Sequence, residues 1–324
     1  MCYSYFFCNF AAMDKIFQLK DISTYRSELM GWSIVWIMML HFGFYSLKPL
    51  GFVAQYGYAG VDIFFFVSGF GLFFSLDKST SLLGFYGKRF IRIFPAYYIV
   101  GAFASFVLIH ETLFQYLFRY STIGFWTGGL YYGWFVPSIV LLYLLAPLLK
   151  NLRVRGQIVL ATIFLVISYI LLDYEEFVDG EHYFLIYRIP AFLFGMICAQ
   201  WMIQGNSSKC FIVLALAGIP FFVLLYPKFH QIYLYKYYSV LFLMPLFIMA
   251  VVTVSKYFPL LNNIIRCLGT ASLEIYLAQG FFFGWIIDGV ISRSDINTLL
   301  MMTASVVLGI LLHKGIEGVK ARVL

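Results

Sequence analysis

Long apolar runs separated by short charged connections dominate this chain. A helix that crosses a bilayer needs about 20 mostly apolar residues, and ten segments approach that length. They cover residues 31–47, 58–76, 90–110, 133–149, 157–173, 183–203, 210–226, 237–255, 269–290 and 296–313. The pattern predicts an all-α membrane protein with about ten transmembrane helices in one bundle. Segment 114–126 carries Gln115, Arg119 and several hydroxyl residues, which favours an interfacial stretch between spans.

Composition agrees with this pattern. The 324 residues are 62% hydrophobic and only 11% charged, with a mean hydropathy of +0.88. Too few residues are polar to cover the surface of a soluble globular protein of the same size. The composition therefore predicts a multi-pass membrane protein whose first partner is the lipid bilayer.

Loop charge gives the expected orientation, because lysine and arginine accumulate in cytoplasmic connections. An even number of spans leaves six of the 22 basic residues outside and sixteen inside. The six are Lys48, Arg119, Arg188, Lys228, Lys236 and Arg293. We therefore expect both termini in the cytoplasm. The net charge of +7 then records topology, and no nucleic-acid partner is expected.

The predicted domain organisation is simple. Residues 1–30 form a cytoplasmic lead-in, 31–313 a transmembrane domain and 314–324 a cytoplasmic tail. Residues 1–12 lack the basic start of a signal peptide, and a functional start at Met13 would place them upstream. The five cysteines show neither metal spacing nor a disulfide framework, and no metal is expected.

His41 is the first candidate for chemistry. It lies about ten residues into the first span, or roughly 15 Å at 1.5 Å per residue. Asp62 lies near the outer end of the second span, which runs back inward, so the two side chains are expected to meet at similar depth. Ionisable groups at such depth usually face a bundle interior or a wet cavity, and an aspartate would raise the basicity of the imidazole. The alternative is a structural histidine and an Asp62 solvated at the interface.

A basic cluster at the predicted cytoplasmic mouth is the second candidate. Arg89 and Arg92 are three apart, so they share a helix face, with Lys88 alongside. Forked guanidiniums suit the phosphates of a cytosolic molecule. Ordinary membrane anchors and topology signals are the alternative for all three residues.

Five motifs in one order carry a family resemblance. They are ELMGWSIVWIMMLHF (28–42), GVDIFFFVSGF (60–70), FYGKRFIRIFPAYY (85–98), WFVPSIVLLYLLAPLL (134–149) and LGTASLEIYLAQ (268–279). Together they resemble the acyltransferase 3 family of integral membrane acyltransferases, many of which O-acylate bacterial glycans. The resemblance extends from residue 28 to about 313.

The resemblance implies roles for individual residues. His41 matches an essential histidine, Asp62 the aspartate of the G-V-D-x-F-F pattern, and Arg89 and Arg92 the R-x-x-R pair. It also implies acyl-CoA, by default acetyl-CoA, as cytosolic co-substrate and a glycan or glycolipid hydroxyl as acceptor. No permanently bound cofactor is expected.

A mechanism follows as a hypothesis. His41, held by Asp62 or another acid, acts as general base on the acceptor hydroxyl or as a covalent acyl relay. Ser68, Tyr98 or an arginine would stabilise the oxyanion. A transporter or flippase for a glycan or lipid is the competing class, since buried His and Asp also suit a proton-coupled carrier. A catalytically silent partner in glycan assembly is a third.

The chain also departs from the family pattern at three places. The family usually has Arg or Lys where Met30 stands, and Arg26 lies one turn earlier as a replacement. The segment 136–142 lacks the glutamate of many members, and the last motif ends in Gln279 rather than His. A site role for Glu274 and Gln279 is not favoured, because residues five apart share a helix face poorly. His313, at a span end, is interpreted as solvated or interfacial.

Overall fold

The structure is a computed structural model that describes residues 17–127, 133–171, 182–205, 208–231, 235–287 and 289–323. Within these ranges the regular structure is entirely helical, as the apolar pattern predicts. Helices satisfy their own backbone hydrogen bonds, which is the requirement that hydrocarbon imposes on a spanning segment. The predicted lead-in, residues 1–30, lies partly outside the described residues, and the predicted start at Met13 lies wholly outside them.

Seven α-helices lie in the first described range, residues 17–127. They are α1 (Leu19–Thr24), α2 (Arg26–Phe42), α3 (Lys48–Ala54), α4 (Ala59–Asp77), α5 (Leu82–Ala102), α6 (Leu113–Tyr120) and α7 (Ile123–Trp126). The end of α5 continues as a π-helix over Phe103–Ile109. At its start, the Ser81 hydroxyl accepts a hydrogen bond from the Gly84 amide at 3.1 Å, so α5 begins eight residues before the predicted span.

Eight helices follow. They are α8 (Phe135–Asn151), α9 (Val154–Ile170), α10 (His182–Ile203), α11 (Lys209–Gln231), α12 (Tyr235–Tyr257), α13 (Asn262–Thr270), α14 (Ser272–Ile287) and α15 (Asp295–Val323). A short 3-10 turn, Pro259–Leu261, separates α12 from α13. The predicted span 269–290 is interrupted at Ala271, where α13 ends and α14 begins.

Six helical segments in the described chain are long and apolar enough to cross a bilayer. They are Ala59–Asp77, Leu82–Ile109, Tyr183–Ile203, Lys209–Pro227, Val240–Tyr257 and Asp295–Arg322. Two further apolar helices, α8 and α9, have 17 residues each. The remaining predicted spans correspond to α2 and α14, with 17 and 16 residues. The predicted interfacial stretch contains the short helices α6 and α7.

Helix α4 lies at the centre of the bundle and packs against α10 on one side and α2 on the other. Helix α2 also contacts α13 and α14. Gly69 of α4 lies against the carbonyl of Phe192, and Gly195 of α10 lies against the carbonyl of Phe66. A Cβ at either glycine would overlap backbone, so these residues permit the close packing of α4 on α10.

The C-terminal end of α2 is attached to the beginning of α15. The Asp295 carboxylate accepts hydrogen bonds from the amides of Tyr45 and Ser46 at 2.5 and 3.0 Å, and from Leu47 at 3.2 Å. The Thr298 hydroxyl donates to the carbonyl of Gly43 at 2.8 Å. The turn that follows His41 is therefore fixed to the last helix.

Candidate active site

A cavity of about 450 Å³ opens at the arginine end of the bundle, between α2, α4, α5, α8, α13, α14 and α15. Its polar lining comes from residues distant in sequence. They are Arg26, Ser27, Ser68, Arg89, Arg92, Tyr143, Thr270, Ser272, Tyr276, His313 and Glu317. The structure thus brings three of the predicted residues, Ser68, Arg89 and Arg92, to one site.

Arg89 contributes a guanidinium that no carboxylate neutralises in the described chain. Its Nη2 donates to the Ser75 hydroxyl, and its Nε is buried without a hydrogen-bond partner among described residues. The cation lies 5.6 Å from the centre of the Phe85 ring. Arg89 is held in place by neutral groups, so its charge is available to a ligand.

Arg92 is already paired. Its Nη1 lies 2.6 Å from Oε1 of Glu274 and its Nη2 lies 3.3 Å from Oε2, a forked arrangement. Nη2 also donates to the Thr270 carbonyl at 2.9 Å. Nδ1 of His313 lies 3.2 Å from the same Oε1 of Glu274. Glu274 is fully buried and lies between an arginine and a histidine, so His313, predicted to be solvated or interfacial, also has a buried carboxylate partner.

Arg26 lies in the cavity one turn before Met30, which also lines it. The structure gives the Arg26 side chain no carboxylate or hydrogen-bond partner within the described residues. Its charge interacts with those of Arg89 and Arg92 across the cavity. Two of the three guanidiniums therefore have no carboxylate partner among the described residues. The excess positive charge of the cavity favours the binding of an anion.

Two predicted binding residues lie elsewhere. Lys88 is exposed and does not line the cavity. Tyr98 is 38% exposed, and its ring stacks on Phe94 at 5.3 Å, two turns from Arg92 on α5. Neither residue lines the cavity, whereas Ser68 on α4 does.

His41 occupies the last turn of α2 and lies outside the lining of the cavity. Its ring stacks on Phe283 of α14, with ring centres 4.7 Å apart. Nδ1 is buried and has no hydrogen-bond partner among the described residues. The imidazole thus faces the bundle interior, as expected, but its neighbours are an aromatic ring and Gln279 rather than an acid.

The expected pairing of Asp62 with His41 is wrong. Oδ1 of Asp62 lies 3.5 Å from Nε of Arg188, and the two side chains are 0% and 2% exposed. The Tyr187 hydroxyl lies 3.4 Å from Oδ2. The Arg188 cation also lies 4.6 Å from the centre of the Trp134 ring, within range of a cation–π interaction. Arg188 is therefore a buried partner of Asp62 and not the loop charge that the sequence suggested.

Helix register explains the error. Gly57 lies against Trp36 and Leu40 of α2, whereas Gly60 lies against Ser33 and Ile37. Because the two helices run antiparallel, Asp62 falls near the level of Ser33. At 1.5 Å per residue this is about 12 Å along the axis from His41.

Aromatic side chains form the inner limit of the cavity. Phe64, Phe135 and Tyr276 all line it. The Phe135 ring centre lies 6.1 Å from that of Phe64 and 4.9 Å from that of Tyr276. Gln279 and Phe283, the neighbours of His41, lie one and two turns beyond Tyr276 on α14. A layer of rings therefore separates the cationic cavity from His41.

Comparison with known proteins identifies the family. The acyltransferase 3 model, described as an acyltransferase domain, matches residues 29–313. The chain belongs to this acyltransferase family. The match covers His41, the Asp62–Arg188 pair and most of the cavity lining, whereas the lining residues Arg26, Ser27 and Glu317 lie outside it.

A viral protein is a distant relative of this acyltransferase domain. ORF330 of Acidianus two-tailed virus, which carries an acetyltransferase name, is 23% identical over 202 residues. The match covers 59% of this chain, and the chain spans 61% of the length of that curated relative. No solved structure matches.

Sequence reasoning missed three residues that line the acyltransferase cavity: Arg26 as a member in its own right, Tyr143 and His313. It also missed Glu274, the buried partner of Arg92 and His313. Glu274 carried a usable signal, because a carboxylate inside an apolar helix is rare and normally has a partner. His313 lies 39 residues further along the chain, so only the fold could bring the two together. In the described part of the chain, no group of three potential ligands could hold a metal ion.

Proposed function

We propose that this protein transfers an acyl group, by default acetyl, from cytosolic acyl-CoA to a hydroxyl of a glycan or glycolipid. The proposed location is a bacterial inner or plasma membrane, which the chain crosses ten times with both termini in the cytoplasm. The cationic cavity beneath His41 carries the proposal, and the acetyltransferase name of the viral relative supports acetyl as the group.

Arg26 and Arg89 are the proposed ligands of the donor phosphates. Neither has a carboxylate partner in the described structure, so a phosphate brings the first opposing charge. Guanidinium binds phosphate through paired, charge-assisted hydrogen bonds. Arg92, whose fork is occupied by Glu274, shapes the wall, and Ser68 contributes a hydroxyl on the opposite side.

His41 is the proposed general base. It takes the proton of the acceptor hydroxyl as the oxygen attacks the thioester carbon, and a tetrahedral oxyanion forms. The C–S bond then breaks, and the leaving thiolate of CoA receives the proton. The thioester reaches His41 when the aromatic layer of Phe64, Phe135 and Tyr276 opens. A covalent acyl-His41 relay is the variant of this scheme.

Purified protein in lipid vesicles, supplied with labelled acetyl-CoA and a cell-envelope glycan extract, tests the proposal. We expect release of free CoA with acyl transfer, and a fall of about 10²- to 10⁴-fold for His41→Ala, the range for loss of a general base. His110→Asn is the matched control, since His110 is exposed and its backbone φ of 60° suits asparagine. Wild-type rates in His41→Ala would sink the proposed mechanism. No CoA release by the wild type would favour the glycan or lipid carrier.

The topology has its own test. Single cysteines placed at Ser46 and at Asn151 should react with an impermeant thiol reagent from opposite sides of the membrane, because α2 and α8 end on opposite faces in the ten-span scheme. Labelling of both from the same side would contradict the ten crossings.

A further inference from the structure

Gln279 is an unusual residue for its position. Its side chain is completely buried in α14, yet neither Nε2 nor Oε1 has a hydrogen-bond partner among the described residues. Most buried polar atoms in proteins are paired. An unpaired amide of this kind therefore requires an explanation.

The unpaired amide lies beside His41. Phe283, four residues after Gln279, shares its helix face and stacks on the His41 ring. The Gln279 amide interacts with the imidazole without reaching hydrogen-bond geometry. Nδ1 of His41 is likewise buried without a partner in the described chain. Three unpaired polar atoms thus face one small region between α2 and α14.

Energetics argue against a structural reason for this arrangement. A buried donor or acceptor without a partner destabilises the folded state, because its hydrogen bonds to water are lost and not replaced. An apolar side chain of the same size would remove that cost. Gln200, a buried glutamine elsewhere in the bundle, shows the ordinary solution, since its Nε2 donates to the Leu152 carbonyl at 3.0 Å. Gln279 has no such bond, so its amide is available to form hydrogen bonds with a ligand.

We propose that Gln279 is a catalytic residue whose Nε2 donates a hydrogen bond to the acyl carbonyl oxygen as it becomes an oxyanion. This inference rests on the proposed acyl transfer. As the acceptor oxygen bonds to the acyl carbon, the C=O electron pair moves to the carbonyl oxygen and the acceptor proton moves to His41. When the C–S bond breaks, the C=O bond reforms and the proton passes to the thiolate. Gln279 donates throughout without giving up its proton.

Gln279→Met tests the role, because methionine keeps the length of the side chain and removes the donor. We expect acetyl transfer in vesicles to fall by about 10²- to 10³-fold in kcat, as for loss of an oxyanion donor, with KM for acetyl-CoA little changed. The melting temperature should stay the same or rise, because an unpaired amide is removed. Gln279→Leu, which removes both the donor and the acceptor of the amide, should lower kcat similarly.

Gln200→Met is the matched control. It removes a satisfied amide, so its melting temperature should fall while activity per folded molecule is retained. A drop in melting temperature for Gln279→Met as large as that of Gln200→Met would assign Gln279 a structural role and overturn the inference. Unchanged kcat in both Gln279 variants with an active wild type would also overturn it, and leave the proposed function intact. An inactive wild type would remove the proposed function and this inference with it.

Discussion

Two groups of charges lie inside this bundle, and they are built differently. In the sealed pair, Asp62 and Arg188 are 0% and 2% exposed, and aromatic rings of Trp134 and Tyr187 cover them. In the open cavity, three arginines face Glu317 and His313, and Arg26 and Arg89 have no acid partner in the described residues. A sealed, balanced pair maintains structure, whereas an open and unbalanced one favours a ligand.

Breaking the sealed pair should have the largest effect. Arg188→Met leaves Asp62 as a buried charge without a partner, which costs about 3–5 kcal/mol. We expect a large fall in the thermal midpoint of the detergent-solubilised protein, measured by circular dichroism, and low yields from membranes.

The double variant Asp62→Leu with Arg188→Met sharpens this result. Removing both charges eliminates the desolvation cost of each, so much of the lost stability should return. Because Asp62 does not contact His41, the double variant should also keep acetyl transfer. A stable but inactive double variant would instead give Asp62 the catalytic role that the motif suggested.

Removing an unpaired arginine from the open cavity should have the next largest effect. Arg89→Ala and Arg26→Ala each lose a charged hydrogen bond to phosphate of about 1.5–3 kcal/mol. We expect CoA affinity, measured by calorimetry in vesicles, to fall by roughly 10- to 100-fold while the thermal midpoint stays unchanged. Equal affinities in wild type and variants would return both arginines to the role of membrane anchors.

Glu274→Gln should have a smaller effect, of opposite sign. The change frees the Arg92 guanidinium and adds one positive charge to the cavity. We expect KM for acetyl-CoA to decrease by about 2- to 5-fold, as befits a partly exposed ion pair. The difference should shrink at high salt, since the Debye length falls from about 10 Å at 0.1 M to 3 Å at 1 M. A higher KM would mean that Glu274 orients Arg92 for the donor.

Lys88→Ala is expected to have the smallest effect. Lys88 is exposed and lies outside the cavity. Donor affinity should change by less than about 2-fold, within the range of an exposed surface charge. A loss comparable to that of Arg89→Ala would mean that the donor extends beyond the cavity mouth.

The sequence predicted the class of the fold well, because hydrocarbon demands long apolar helices and the chain displays them directly. The predicted span 183–203 agrees with α10 almost residue for residue. The sequence also selected Arg89, Arg92 and Ser68, which share the cavity. In these cases the apolar pattern and the residue spacing within one helix are sufficient to predict the position of the helix and the face on which a side chain lies.

The register of one helix against another could not be predicted from the sequence. The depth of Asp62 depends on how Gly57 and Gly60 seat on α2, and that contact is set by backbone packing. Arg188 was misjudged for a related reason, since loop and buried positions at a span end look alike in sequence. The contact between Glu274 and His313 likewise depends on the packing of α14 against α15, which the sequence does not reveal.

The contact of Gly69 with Phe192 and of Gly195 with Phe66 limits how the bundle can move. With backbone against backbone at two levels, α4 and α10 cannot slide past each other without steric overlap. Under the proposed mechanism, we therefore expect the passage for a substrate from the cavity to His41 to form on the side away from this contact. We expect rotation of the Phe135 and Tyr276 rings and small tilts of α8 and α14 to open it.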